Sequence, residues 1–207
     1  MVRVLLAIAL AAGTPVVHHT SAGTTAARAS LLKAADLGKG WTSAAATTQR
    51  GVSLSCRGHA PGAAGIVEAG AASSPAFSAS QAGPFVQQNA SVYATSSQAT
   101  AWWRRAVTPS LVTCVAQTFD ALAAKGVKVS IVSKGRLPFA TALPHTAAYR
   151  VVASANGNKL YFDVIVLGSG RTITDVTISS FLKPVAAKNE QALATVIARK
   201  LGGTGTA

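Results

Sequence analysis

The sequence predicts an α+β fold: a twisted antiparallel sheet of about five or six strands, packed with a long kinked helix and with N- and C-terminal helices. Three observations predict it. The stretch "TAAYRVVASANGNKLYFDVIVLGSGRTITDVTISSF" holds three apolar segments split by Asn156-Gly157 and Gly168-Ser169-Gly170, which supply the positive-φ residues of tight hairpins. Between Trp103 and Leu122 apolar residues recur at three-or-four spacing, the mark of one helix face. A chain of 207 residues that is 49% apolar is long enough for one domain with a sizeable core.

The N-terminus "MVRVLLAIALAAG" has a basic start at Arg3 and then an apolar run over residues 4–12. Polar and small residues follow, and Ala27-Arg28-Ala29 fits a small-x-small cleavage site. This is the layout of a secretory signal peptide, expected over residues 1–29. The run is shorter than the roughly 18 apolar residues that a membrane anchor needs. The folded domain is then expected over residues 30–201, with 202–207 a flexible tail and no membrane helix in the mature chain.

Within that domain "SLLKAADLGKGWT" reads as a short helix, capped by Ser30 and ended by Gly38 and Gly40. The Ala-, Thr-, Ser- and Gly-rich stretch 43–64 reads as loop. "GIVEAGAAS" is a strand candidate, and "SSPAFSASQAGPF" reads as a second loop. "VQQNASVYAT" alternates Val86, Gln88, Ala90 and Val92 against Gln87, Asn89, Ser91 and Tyr93, the pattern of a half-buried strand. Its Asn89-Ala90-Ser91 matches a glycosylation triplet, a short pattern frequent by chance. A helix capped by Ser96 or Ser97 should run to about Ala124, kinked near Thr108 because Pro109 lacks an N–H. On that helix Trp103 falls in the apolar seam, with Trp102, Arg104 and Arg105 flanking it. "VKVSIVSKGRLPF" should be a strand ending near Gly135. The meander strands are expected at about 148–154, 160–167 and 172–181. "NEQALATVIARKL" closes the fold as an amphipathic helix with Leu193, Val196, Ile197 and Leu201 inward.

Charge is lopsided. Nineteen Lys and Arg face six Asp and Glu, a net +13. A basic exported protein meets acidic polymers or anionic headgroups in the cell envelope. Export argues against a nucleic-acid partner, and so does the aromatic content of only 6%, because single-strand binders interleave aromatics with bases. Cys56 and Cys114 are the only cysteines, and an even pair in an exported chain points to a disulfide. Such a long loop is worth about 4 kcal/mol in the chain-entropy model. The alternative is two separate thiols, one buried in the helix.

Catalytic ingredients are sparse. His59 and His145 follow the expected cleavage site, each in a loop beside a proline and neither in a nucleophile motif. Gly168-Ser169-Gly170 lacks the five-residue elbow of a hydrolase. Asp163 and Asp175 stand where a hairpin brings acids together, usually on a solvated face. No phosphate loop, dinucleotide fingerprint or metal-ligand spacing occurs, so no cofactor, no metal and no enzyme activity are expected.

"LLKAADLGKGWT", the "SVYATSSQATAWWRR" join, Cys114 in the helix, the "YRVV…YFDVIVLGSGRTITDVTISS" meander and the final "QALATVIARKL" together resemble the PknH-type extracellular sensor domain. The resemblance spans residues 30–201. It implies a twisted antiparallel sheet packed with helices, a ligand cleft, and a sensing role outside the membrane, as in stand-alone secreted bacterial members. The family's kinase-linked domains carry two disulfides, whereas this chain can form one. The expected function is a secreted, non-catalytic ligand-binding or sensor-like domain of the bacterial cell envelope, taking an unknown small molecule, envelope component or envelope protein. The alternative is a structural or interaction protein held on anionic envelope polymers by its basic surface. An uncatalogued hydrolase stands third. A cleft between sheet and long helix would be lined by Tyr93, Trp102, Arg105, Tyr149 and Tyr161, amphipathic aromatics and a cation suited to a concave site.

Overall fold

β-Branched and aromatic residues in alternation, punctuated by turn residues, build the centre of the molecule as predicted. A computed structural model of the chain describes residues 15–44, 56–117, 119, 126–181 and 183–203. In it β7 (His145–Ala155), β8 (Asn158–Ser169) and β9 (Thr172–Phe181) form a continuous antiparallel meander. Asn156 and Gly157 take φ of 50° and 83° in the first turn, which a β-branched residue would not tolerate.

The sheet is larger than expected. Its main order is β1-β3-β5-β9-β8-β7-β6, with β4 also on β5 and β2 on β4, nine strands among the described residues. The additions are β1 (Val16–Val17), β2 (Thr42–Ala44), β3 (Val67–Ser73), β4 (Ala76–Ser78), β5 (Phe85–Tyr93) and β6 (Val129–Leu137). It is mixed, because β1 runs parallel to β3. β4 lies in a stretch read as loop; Phe77 and Ser78 pair with Val86 and Phe85 of β5. The earlier loop reading, 43–64, fails at its start, where Ser43 and Ala44 belong to β2; residues 45–55 lie outside the described residues.

Helices cover both faces. On one, α3 (Ser96–Ala106) and α4 (Leu111–Gln117) pack with Tyr93, Tyr149, Val151, Phe162 and Val164. On the other, α5 (Ala187–Gly203) packs Leu193, Ala194, Ile197 and Leu201 against Val86, Ile165, Val176 and Ile178. β5 is therefore buried on both sides instead of half-buried. Pro109 divides the predicted long helix into two, broken over residues 107–110. Its N-cap is Thr95, whose hydroxyl accepts from the Gln98 N–H, not Ser96 or Ser97. The break also rotates the helix register. Ala99, Trp102 and Ala106 are buried, and Trp103, expected in the seam, is only half-buried at the border of the same cluster.

The N-terminal reading changes most. α1 (Ser21–Ala29) packs on β3 and β5, with Ala27 fully buried beside Leu31, Ala90 and Val92. Ser30, expected to start a helix, instead ends this one, its hydroxyl donating to the Ala27 carbonyl at 2.7 Å. The next helix, α2 (Ala34–Leu37), is a single turn. Buried Gln88 ties the junction to the sheet: its side-chain oxygen accepts from the Leu32 N–H, and its amide donates to the Ser30 carbonyl and to Thr174 Oγ1. The domain boundary expected at Ser30 thus falls inside a packed unit that reaches back to Pro15. The apolar run of residues 4–12 lies outside the described residues. At the other end α5 continues to Gly203, past the tail boundary expected after Leu201.

Gly23 of α1 lies main chain to main chain on Ala69 and Gly70 of β3: a Cβ on Gly70 would overlap the Gly23 backbone, and one on Gly23 would overlap the Ala69 carbonyl. Gly70→Ala is therefore expected to cost about 1–3 kcal/mol, as overpacking does. A lower urea midpoint with unchanged slope checks this; an unchanged midpoint means the helix can shift freely. A chain started at Ser30 is expected to melt well below one started at Thr14, and equal melting temperatures would show that α1 adds nothing.

Candidate functional site

The five residues expected to line a cleft do not meet in one. Tyr93, Trp102 and Tyr149 are buried in the cluster beneath α3 and α4. The Tyr149 hydroxyl donates to the Thr108 carbonyl at 3.0 Å, closing the break between the two helices. Burial raises the ionisation of both phenols above its usual range, most strongly for Tyr93, where Glu68 adds to it. Arg105 is exposed but engaged: Nη1 donates to the carbonyls of Gly62 and Ala64 at 2.8 and 2.9 Å, pinning the segment ahead of β3. Tyr161 stands opposite Val152 and Ser180 in the sheet, on the face that α5 covers. The space expected to be a cleft is core. Two open surface depressions lie elsewhere, one lined by residues 136–139, the other by Ala35, Asp36, Val196, Arg199 and Lys200.

The predicted disulfide forms. Cys56 and Cys114 are bonded, with Cα atoms 5.3 Å apart. The bridge joins the segment before β3 to α4. His59 supports the same junction, its Nε2 on the Ala106 carbonyl at 2.9 Å and its Nδ1 on Ser110 Oγ at 3.0 Å. A carbonyl accepts only, so Nε2 donates in the first of these bonds. His145 begins β7 and stacks on Trp103, ring centroids 5.0 Å apart at 21°, with Thr100 Oγ1 3.2 Å from Nε2. Partial burial and then the Arg104 charge lower its pKa, which favours a neutral ring. No described carboxylate orients either imidazole, and among the described residues no group of three or more His, Cys, Asp and Glu could hold a metal ion.

The carboxylates supply what sequence reasoning missed. Asp163 and Asp175 were expected near one another on a solvated face. Register instead sets Asp163 against Ile178 and Asp175 against Val166, so they point to opposite faces, and both are buried. Beneath α5, Arg150 grips Asp163 through Nε and Nη2 at 2.6 and 2.8 Å, and Nη2 also reaches Glu190 at 2.8 Å. One guanidinium cannot balance two buried carboxylates, and burial followed by the adjacent Asp163 pushes the Glu190 pKa well up. On the other face Asp175 accepts from Asn89 Nδ2 at 3.1 Å, while Oδ1 has no partner; burial pushes its pKa up to about 7. Asn89, the glycosylation candidate, is itself buried and also accepts from Ser73. Glu68 is buried too, bonded to His19 and Ser91.

A consequence appears at the surface. Of the described acids only Asp36 is not buried, and Lys200 holds it at 2.9 Å. Every described lysine and arginine except Arg150 and Lys200 is exposed. On the α3 side Arg104 flanks the Trp103–His145 stack, and Arg136 lies across from Tyr149 on the same sheet face. The surface is more one-sidedly positive than the net charge implies.

Comparisons with known proteins add little. No family model matches the chain, and no curated protein matches it. Among solved structures the extracellular domain of PknH from Mycobacterium tuberculosis is similar over 61% of this chain, at 12% identity and a TM-score of 0.34. The match spans 61% of that domain's own length. A likeness so loose decides neither fold nor function, and the family resemblance remains an expectation. Among the described residues no helix is long and apolar enough to cross a membrane.

Buried acids with raised pKa set a pH dependence. The unfolded chain releases these protons near the ordinary carboxylate range, about pH 4, whereas the folded chain keeps them to higher pH. Stability from Asp175 and Glu190 should therefore fall as pH rises from about 4 to 7 and beyond. The lowered pKa of His145 works in the opposite sense, its contribution growing as pH rises through the usual histidine range. Comparing wild type with Asp175→Asn/Glu190→Gln separates them: the difference in unfolding free energy between the two proteins should change steadily over this window, to the variant's advantage at high pH. A difference independent of pH would show that both carboxyls titrate normally.

Proposed function

We propose that the protein is an exported, non-catalytic binding module of the cell envelope that attaches to anionic polymers through its basic surface. The observation that carries this reading is the segregation of charge, with Glu68, Asp163, Asp175 and Glu190 inside and nearly all the cations outside. A surface of one sign attracts a polyanion without a pocket, because each cation contributes through the field it adds to its neighbours. The disulfide supports export, since such bonds persist in oxidising compartments. The Trp103–His145 stack beside Arg104 gives the polymer a flat, partly apolar landing point within the cationic field.

The sensor-like alternative, a small molecule held between sheet and helix, has less support, because Tyr93, Trp102 and Tyr149 fill that space themselves. A hydrolase reading has less still: the rings of His59 and His145 are engaged by Ser110, Ala106 and Thr100.

The test is binding to an immobilised polyglycerol phosphate and to a neutral polysaccharide across a salt series. Retention on the polyphosphate should fall about tenfold or more between roughly 50 and 500 mM salt, because exposed charges are screened over a few ångströms at the upper end. The neutral polymer should retain none at any salt. Salt-insensitive retention, or no retention at low salt, overturns the proposal.

A further inference from the structure

We infer that the outer edge of β6 is a docking site for an extended acidic peptide segment of a partner protein, added to the sheet as one more strand. β6 is nine residues long and pairs only with β7; no described strand lies on its other side. The opposite edge, β1, is a two-residue strand, and the β2 and β4 branch is three residues deep. β6 is thus the long free edge among the described residues. It offers a row of main-chain donors and acceptors, the raw material of strand addition.

Side chains along it narrow the choice of occupant. Ile131 and Val132 are 41% and 55% exposed, β-branched residues that no other described element covers well. They are two of the five large apolar side chains exposed on the described surface. Lys134 and Arg136 follow on the strand and Lys128 precedes it, all exposed, with no acid from Lys128 to Leu137. A second copy would bring the same cations into register, and like charges across a strand pair repel. A neutral strand would bury Ile131 and Val132 but leave the cations unanswered. A segment alternating β-branched residues with Glu or Asp satisfies the main chain and sets its acids opposite Lys134 and Arg136, which share one face of the sheet, while its apolar side chains extend the other face. The register shift between Ile131 and Ser133 marks a bulge at Val132, so pairing is expected to be most regular over the charged half, residues 133–137.

This site shares Lys134 and Arg136 with the cationic surface proposed above, and a peptide set distinguishes strand addition from attraction by charge. Three fluorescent probes are titrated into the full chain: acetyl-Glu-Val-Glu-Val-Thr-Val-Glu-amide; the same peptide with proline at alternate positions, equal in charge but unable to pair; and the lysine-for-glutamate counterpart. The expected result is saturable binding of the first, at least about tenfold weaker binding of the second, and none of the third. Amides of residues 129–137 should gain protection from hydrogen exchange only with the first. Lys134→Glu/Arg136→Glu, a change confined to exposed positions, should weaken the acidic probe by about tenfold or more and admit the lysine peptide, since each exposed pair turns from attraction to repulsion. Equal binding of the proline peptide would show charge attraction alone, overturning strand addition while leaving polymer attachment intact. Sedimentation of the free chain as a dimer, with β6 protected, would assign the edge to a second copy and overturn the proposal as well.

Discussion

Helices on both faces of the β7–β8–β9 meander bury the middle of its strands on both sides, and this constraint governs what the carboxylates there can do. A carboxylate on such a strand must find a partner or keep its proton. Asp163 finds Arg150, which also reaches across to Glu190 at the start of α5. That bridge, from sheet to helix, is the polar counterpart of the leucine seam along α5. Asp175 has only one amide donor and is left with an oxygen unpaired. The same enclosure that stabilises the core through burial therefore stores a proton-dependent weakness within it.

What the sequence revealed follows the same physics. Three strands and two turns were legible because Asn156-Gly157 and Gly170 announce hairpins whatever packs on them. The C-terminal helix was legible because Leu193, Ile197 and Leu201 make a one-sided stripe. The Cys56–Cys114 pair needed only a count and a compartment. Alternation misled where both faces are covered: β5 mixes Gln88 and Asn89 with apolar residues, yet both are buried and held by specific hydrogen bonds. Helix α1 was invisible because it is held by smallness. "SAGTTAARA" shows no apolar stripe, and it packs by letting Gly23 touch Gly70 and Ala27 fill a small gap.

The site expectations went astray for a related reason. A helical wheel drawn through Pro109 set Trp103 inward and Trp102 at its flank; with two separate helices the phase resets, and Trp102 takes the core. Of the aromatics expected to line a cleft, Tyr93, Trp102 and Tyr149 are part of the packing itself. The distribution of acids, which no periodicity reports, bears more directly on function. Few carboxylates are present, and the fold uses most of them internally, so its exterior is left to lysine and arginine.

The bridge between Cys56 and Cys114 closes a covalent ring with a sequence separation of 58 residues. That ring contains β3, β4, β5 and α3, the whole half of the sheet beyond β9 apart from β1 and β2. Stretched from its ends while oxidised, the molecule would surrender its flanks but keep this loop hidden from the applied force. About 200 Å of contour, at the usual extended length per residue, would appear only after reduction. While that bond holds, the chain carries a fixed upper bound on how far it can lengthen, set by a single pair of sulfur atoms.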